Sequence, residues 1–266
     1  MSKKALVVDN DFFFVEFMTD ILQKRGYEVF KAYDGKEGIT SLNEKPVIDV
    51  LFVDIVMPKI DGRQMIQYTR QQFPDARFPI IAISGTLIEQ IENIHKFGAD
   101  FYIAKGPIGI MAGHINRFMD RLEKLSFPFS DHAEILEPVK LYPRPSTAKL
   151  IDVMNFQDAI LKCIGVGIFI ADKDAAIIRV NEQGLEIIQK SIGDVLNRHI
   201  TTIFPPSEKI KLVTELKKIV HHRELNQTVF SSSIDSKKIR NTVSLLKVNN
   251  KIFGWIIVME EVNQWE

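Results

Sequence analysis

The sequence predicts an α/β doubly wound five-stranded parallel sheet, followed by a C-terminal α+β domain with an antiparallel sheet. Three observations predict this. From Lys4 to about Lys124, short β-rich runs alternate with segments of helical apolar spacing, the pattern of parallel strands joined by right-handed helical crossovers. From Ser126 to about Thr147, four prolines interrupt every periodicity, as in a linker that is extended in part. After Gly165, strand-like runs fall into two groups with helical segments between them, which suits an antiparallel sheet. The expected domain limits are 1–124, a proline-containing linker over 125–150, and 151–266 with a leading helix.

At 266 residues the chain can hold two ordinary domains. Its composition, 45% apolar and 26% charged with zero formal net charge, describes a globular protein with no general attraction to nucleic acid or to an anionic membrane. The N-terminal run MSKKALVVDNDFFF has its apolar stretch broken at Asp9 and Asp11, so neither a signal peptide nor a membrane span is expected and the expected location is cytoplasmic. A single cysteine, Cys163, excludes an internal disulfide framework and a Cys-based zinc cluster. Its expected role is a small apolar filler.

In order, the expected strands of the first domain are ALVVD, YEVFKA, IDVLFVD, PIIAIS and DFYIA. The first helix carries Phe14, Phe17, Met18, Ile21 and Leu22 on one stripe and stops at Gly26. Phe12 and Phe13 precede that stripe, as interface residues or as part of a locally packed helix start. The third strand is the centre of the reading. Val50, Leu51, Phe52 and Val53 are continuously apolar, as in a strand covered on both faces, and that character ends at Asp54. Met57-Pro58 and Asp61-Gly62 then turn the chain into the next helix.

All strand C-termini of such a sheet face one edge, where functional groups collect. Strand one ends at Asp9, Asn10 and Asp11, strand three at Asp54, strand four at Ser84 and strand five at Lys105. Crowded carboxylates repel one another, and a hard cation such as Mg²⁺ relieves them. A hydroxyl and an ammonium opposite could receive the charge of a phosphoryl group placed on Asp54.

These segments, VVDND, VDIVMPKIDG, IAISG and GADFYIAKGP, resemble the CheY-like receiver domain of two-component response regulators, a flavodoxin-like fold, over nearly all of residues 3–124. The resemblance implies that Asp54 is the phosphoacceptor. It further implies Mg²⁺ bound by Asp9, Asn10, Asp54 and the backbone carbonyl of Val56, Ser84 and Lys105 contacting the phosphoryl group, and Tyr102 as an aromatic switch. The usual signalling face would involve Ile91 to Phe97, Tyr102 and Ile115 to Leu122. Two departures stand out. Asn10 replaces a carboxylate and lowers the expected Mg²⁺ affinity, with the field of Asp11 as partial compensation. Gly106 separates Lys105 from Pro107, where the family has the two adjacent.

The linker leads to a helix with Leu150, Val153, Met154, Ile160, Leu161 and Ile164 at helical spacing and Ser146 as the expected N-cap. Core packing is its expected use, with pairing to its own copy as the alternative. Two short strands joined by a turn at Asp172 to Asp174 then lead into a helix begun by Asn181, and later strands follow at LNQTVFSSS, KIRNTVSLLKV and KIFGWIIVMEE. The pieces GIFIAD and IIRVNEQGLEII resemble a PAS domain over about residues 155–263. That resemblance implies ligand sensing or dimerisation, with the ligand unknown. His221 and His222 follow a helical run and are expected to be helix C-terminal cations rather than haem ligands.

No phosphotransfer histidine box, ATP-binding glycine motif, GGDEF or EAL signature, or helix-turn-helix is visible, so no enzyme is expected beyond self-phosphorylation and autodephosphorylation in the receiver-like domain. The leading expectation is a phosphorelay response regulator whose partner is a sensor histidine kinase or phosphotransfer protein, with a homodimer left open. The alternatives are a pseudo-receiver scaffold and a PAS-based small-molecule sensor.

Overall fold

A computed structural model describes residues 2–44, 48–85, 98–125, 134–136, 145–222 and 224–262. The chain divides into two compact units, Met1–Met154 and Asn155–Glu266.

In the first unit, β1 (Lys3–Val8), α1 (Phe12–Lys24), β2 (Tyr27–Ala32), α2 (Gly35–Glu44), β3 (Val50–Asp54), α3 (Gly62–Gln72), β4 (Ile80–Ser84), β5 (Phe101–Ala104) and α4 (Ile108–Leu122) follow in sequence. The sheet order is β2-β1-β3-β4-β5, all parallel. Every residue of β3, β4 and β5 is buried, which is why their sequences read as unbroken apolar runs. A sixth strand, β6 (Glu134–Leu136), pairs parallel with β5. It arises within the proline-containing linker and enlarges the expected five-stranded sheet by one.

Local sequence fixes the helix ends. The Asp11 side chain accepts the N–H groups of Phe13 and Phe14 and caps α1, the usual service of an aspartate at this position. Asp11 is therefore engaged as a cap, where the sequence suggested only a long-range field. Gly26, at φ +84, ends the helix, and Phe14, Met18, Ile21 and Leu22 are buried with Phe17 packed beside them. Asp61 and Gln64 form a reciprocal capping box at the start of α3.

The second unit begins within α5 (Pro145–Cys163) and continues through β7 (Gly167–Asp172), β8 (Ile177–Val180), α6 (Glu182–Ile188), α7 (Ile192–Val195), α8 (Pro206–His221), β9 (Gln227–Ile234), β10 (Lys237–Val248) and β11 (Lys251–Glu261). Its antiparallel sheet has the order β8-β7-β11-β10-β9. Phe169, Ala171, Val243, Ile257 and Met259 from the sheet meet Ile187, Val195, Ile203, Leu212 and Ile219 from the helical side in one core. Two residues with positive φ, Asn249 and Asn250, close the β10–β11 hairpin, a conformation that asparagine tolerates well.

Three expectations for α5 are corrected. The helix starts at Pro145, one residue before the expected Ser146 cap, and proline suits a first helical turn because its missing N–H is not needed there. Val153 and Ile160 are exposed rather than in a core. Cys163, at the end of the helix, is exposed and not a filler. Apolar residues occupy more than one side of α5, so spacing alone did not say which side would be covered.

Candidate functional site

The sheet order changes direction between β1 and β3: β2 lies to one side of β1, and the chain then crosses to the other side. In open α/β sheets, such a switch point opens a crevice at the strand C-termini. Val8 is level with Val53 in the β1–β3 register, so the next residues, Asp9 and Asp54, stand side by side at the mouth of that crevice. Both are buried, at 1% and 5% exposure.

Lys105 reaches them from the end of β5. Its Nζ lies 2.7 Å from Asp9 Oδ2 and 3.1 Å from Asp54 Oδ2. Two carboxylates thus share one ammonium. Burial, with the neighbouring Asp9 charge adding to it and Lys105 partly offsetting it, pushes the Asp54 carboxyl up to about 6. Burial also raises Asp9, again against the pull of Lys105. Burial works to lower the Lys105 ammonium, but Asp54 and Asp9 outweigh it and hold it above the ordinary lysine value.

The loop after β3 is held in place by its own contacts. The backbone N–H of Val56 donates to the Asp54 carboxylate, and Asp9 Oδ1 accepts the Asp11 N–H at 2.9 Å. Lys59, at φ +65, pairs with Asp34 at 2.5 Å and joins the loop to the start of α2. Gly62 lies against the Asp54 backbone, so that a Cβ there would stand 2.1 Å from the Asp54 carbonyl oxygen. Only glycine fits such an approach.

The remaining expected residues fall as follows. Ser84 is the buried last residue of β4, and its carbonyl accepts the Lys105 N–H at 2.7 Å. Asn10 is exposed next to Asp9. Tyr102 is inside β5 at 1% exposure, its hydroxyl oxygen receiving the Ala99 N–H, and burial raises its pKa. Gly106 and Pro107 form the connection from β5 to α4, with Pro107 at the helix N-cap. Ile115 and Leu122 are buried in α4, while the expected face over Ile91 to Phe97 lies outside the described residues. Phe12 and Phe13 are exposed, and Phe12 stacks on Tyr33 with ring centroids 5.8 Å apart.

Two functional-looking features were not evident from the sequence. One is Phe14, whose ring centroid lies 4.7 Å from Lys105 Nζ. A pattern of apolar spacing marks Phe14 only as core. The other is Asn181, expected as a helix start and found as one. It is buried and fully engaged: Oδ1 accepts from Ile168 and Gly184, and Nδ2 donates to the carbonyls of Leu161 and Val166. It thereby ties the C-terminal part of α5 to β7 and α6.

Among the described residues, no group of three or more His, Cys, Asp or Glu is gathered as a metal cluster, and no helix is long and apolar enough to cross a membrane.

Family comparisons match both units. The response regulator receiver domain family model matches residues 5–109, and a PAS domain model matches residues 165–264. The chain is 33% identical over 116 residues to the regulatory protein VanRc of Enterococcus gallinarum, covering 42% of this chain and 48% of that protein. It is 34% identical over 108 residues to the alkaline phosphatase synthesis transcriptional regulatory protein PhoP of Bacillus subtilis, covering 40% and 43%. The chain therefore spans about half the length, or less, of these curated relatives. Among solved structures it is similar to the chemotaxis response regulator CheY4 of Vibrio cholerae, at 24% identity and a TM-score of 0.41, covering 46% of this chain and 99% of that one. It is also similar to the response regulator protein TrrA of Thermotoga maritima, solved in complex with Mg(2+)-BeF, at 24% identity and a TM-score of 0.39, covering 46% and 97%. Residues 5–109 are a response regulator receiver domain and residues 165–264 a PAS domain.

Proposed function

We propose that this protein is a phosphorelay response regulator that accepts a phosphoryl group on Asp54 from a sensor histidine kinase or phosphotransfer protein and signals through changed contacts of its PAS domain. The observation that carries this reading is the pair of buried carboxylates, Asp9 and Asp54, sharing the single ammonium of Lys105 at the switch point of the sheet.

In the transfer, an Asp54 carboxylate oxygen attacks the phosphorus of the donor. The new O–P bond forms as the donor's P–N bond breaks, and the electron pair of that bond stays on the donor imidazole nitrogen. Lys105 neutralises charge on the attacking side and is within reach of a phosphoryl oxygen once the acyl phosphate has formed. Ser84, one strand away, is assigned the hydroxyl contact to that group, and Tyr102 the aromatic switch in β5. Exposed Phe12 and Phe13 at the start of α1, and Ile108 and Ile110 at the start of α4, supply apolar surface suited to a protein donor.

The residues present fit a hard divalent cation. Burial raises both carboxylates and the Lys105 ammonium only partly offsets it, a site that a further positive charge would relieve, and oxygen donors are what Mg²⁺ takes. Asp9, Asn10, Asp54 and the Val56 carbonyl would hold it. When bound, Mg²⁺ supplies charge screening between the carboxylates and the incoming phosphate.

Intact-mass measurement after treatment with acetyl phosphate and Mg²⁺ tests the reading: one phosphate should be added to the wild type and none to Asp54→Ala. Labelling that survives in the variant would sink the assignment, and a wild type that takes up nothing would favour a pseudo-receiver scaffold.

A second reading, small-molecule sensing by the PAS domain, is favoured by one observation. Asn241 is fully buried on β10, its amide nitrogen donating to Phe230, Ile239 and Ser232, while its Oδ1 has no hydrogen-bond partner. A buried acceptor of this kind is costly to leave unmatched, and a ligand with an N–H or O–H donor would match it. Mass spectrometry of small molecules released from the purified protein on denaturation tests this, and an empty wild type would count against it.

A further inference from the structure

The Lys105 ammonium has three N–H donors. Two carboxylates form ion pairs with it, Asp9 Oδ2 at 2.7 Å and Asp54 Oδ2 at 3.1 Å. Among the described residues, a further close neighbour is aromatic: Nζ lies 4.7 Å from the centroid of the Phe14 ring. That distance is within the range at which a ring face attracts a cation, and the partial burial of Lys105 strengthens the attraction because water screens it less. Phe14 is 6% exposed and belongs to the core cluster that includes Val7, Ile83 and Ile103. Its place in the first turn of α1 is fixed from the backbone, since the Asp11 cap accepts its N–H at 3.3 Å. The ring is therefore a fixed wall, whereas lysine is a long side chain with many rotamers.

We propose that Phe14 is a positioning residue for phosphoryl transfer at Asp54, its ring face holding the Lys105 ammonium between Asp9 and Asp54. The inference rests on Asp54 being the phosphoacceptor. A lysine that must serve a carboxylate before transfer and a phosphoryl oxygen after it gains from a third contact that does not change when the phosphate arrives. The ring provides that contact without adding negative charge to a site that already holds two carboxylates. An aliphatic residue of similar size would fill the same core volume yet offer the ammonium no negative face. Ring chemistry and packing are thus separable.

The test measures initial rates of acyl phosphate formation by the full-length chain with acetyl phosphate and saturating Mg²⁺, read by intact mass over minutes to hours. The variants are Phe14→Leu, Phe14→Met, Phe14→Tyr, Lys105→Met and Phe14→Leu combined with Lys105→Met, with thermal unfolding of each recorded separately. Phe14→Leu and Phe14→Met should each slow phosphorylation roughly fivefold, the loss of one partly buried cation–ring contact. Phe14→Tyr, which keeps the ring, should stay within about twofold of wild type. In the Lys105→Met background, Phe14→Leu should have no further effect, because its action passes through the lysine. The proposal is overturned if the aliphatic variants phosphorylate as fast as wild type, if Phe14→Tyr falls as far as they do, or if the Phe14→Leu loss persists without Lys105. Should Phe14→Leu not fold, the Met and Tyr variants carry the comparison. A wild type that takes up no phosphate would instead refute the phosphoacceptor reading itself.

Discussion

Gly62 approaches Asp54 so closely that a Cβ on the glycine would lie 2.1 Å from the aspartate's carbonyl oxygen and 2.8 Å from the Cα of Ile55. The obstacle is backbone, which cannot swing aside as a flexible side chain would. Gly62→Ala should therefore displace the end of β3 and cost roughly 1–3 kcal/mol, as overpacking does, together with most of the phosphorylation rate. Gly109→Ala is the control, because nothing lies within 4 Å of a Cβ there and the residue sits in α4, where alanine should gain up to about 1 kcal/mol. Urea denaturation of both variants checks the pair. Equal stabilities would mean that the loop after β3 relaxes freely.

The electrostatics of the site predict a pH signature without metal. Burial pushes the Asp54 carboxyl up to about 6 in the folded chain, from an ordinary value of 3.8. A raised carboxyl pKa means that the ionised form is disfavoured by folding, so the cost is fully present above about pH 6 and vanishes as pH falls toward 4. Asp54→Asn, which imitates the protonated form, should thus stabilise the protein at pH 8 in EDTA by roughly 1–3 kcal/mol, and the gain should fade between pH 6 and pH 4. Chemical denaturation across that range measures it. A destabilised Asp54→Asn at pH 8 would show that the Lys105 ion pair outweighs burial.

The sequence made this site legible because its residues stand at the ends of apolar strands, where a change from Val53 to Asp54 or from Ala104 to Lys105 marks both an edge and a charge. That the sheet is parallel needed only the alternation of strand and helix, which leaves the order of the strands open. Other features left no such mark. β6 is three residues long, too short for any periodicity, and owes its existence to the open edge of β5. Phe14 has the same spacing whether it faces core alone or core and an ammonium. The exposure of Val153, Ile160 and Cys163 was hidden because α5 is apolar on more than one side, and its Asp158 is committed to Arg179 of β8. Long-range hydrogen bonds of the kind made by Asn181 depend on where the chain returns, which local sequence does not encode.

Asn181 also yields a prediction in the PAS domain. Replacing it by alanine removes four hydrogen bonds and leaves the partly buried N–H of Ile168 and the buried N–H of Gly184 without their acceptor. The expected loss is roughly 2–4 kcal/mol, with faster amide exchange at those two positions and in the C-terminal part of α5. Hydrogen exchange read by mass spectrometry tests this. A loss under about 0.5 kcal/mol, with α5 exchange unchanged, would mean that the helix is held by other contacts.

The last prediction concerns the residue at which the acidic site is incomplete. Asn10 is exposed beside Asp9, and an amide oxygen there can coordinate a cation but brings no charge. Asp9 and Asp54, with Asp11 near enough for its charge to act on Asp9, then balance both Lys105 and a divalent ion, which leaves the site short of negative charge once the metal binds. Asn10→Asp adds a third carboxylate at the mouth of the crevice, where solvent keeps its own ionisation inexpensive. A hard cation gains from one more anionic oxygen, so Mg²⁺ affinity should rise roughly tenfold, equivalent to about 1.4 kcal/mol. The same substitution should leave stability in EDTA unchanged or slightly lowered, because the new charge repels Asp9 when no metal is present. Calorimetric titration with Mg²⁺, paired with urea denaturation with and without the ion, measures both halves. A variant that binds Mg²⁺ no more tightly than wild type would place Asn10 outside the metal's reach and leave Asp9, Asp54 and Val56 as the remaining protein ligands.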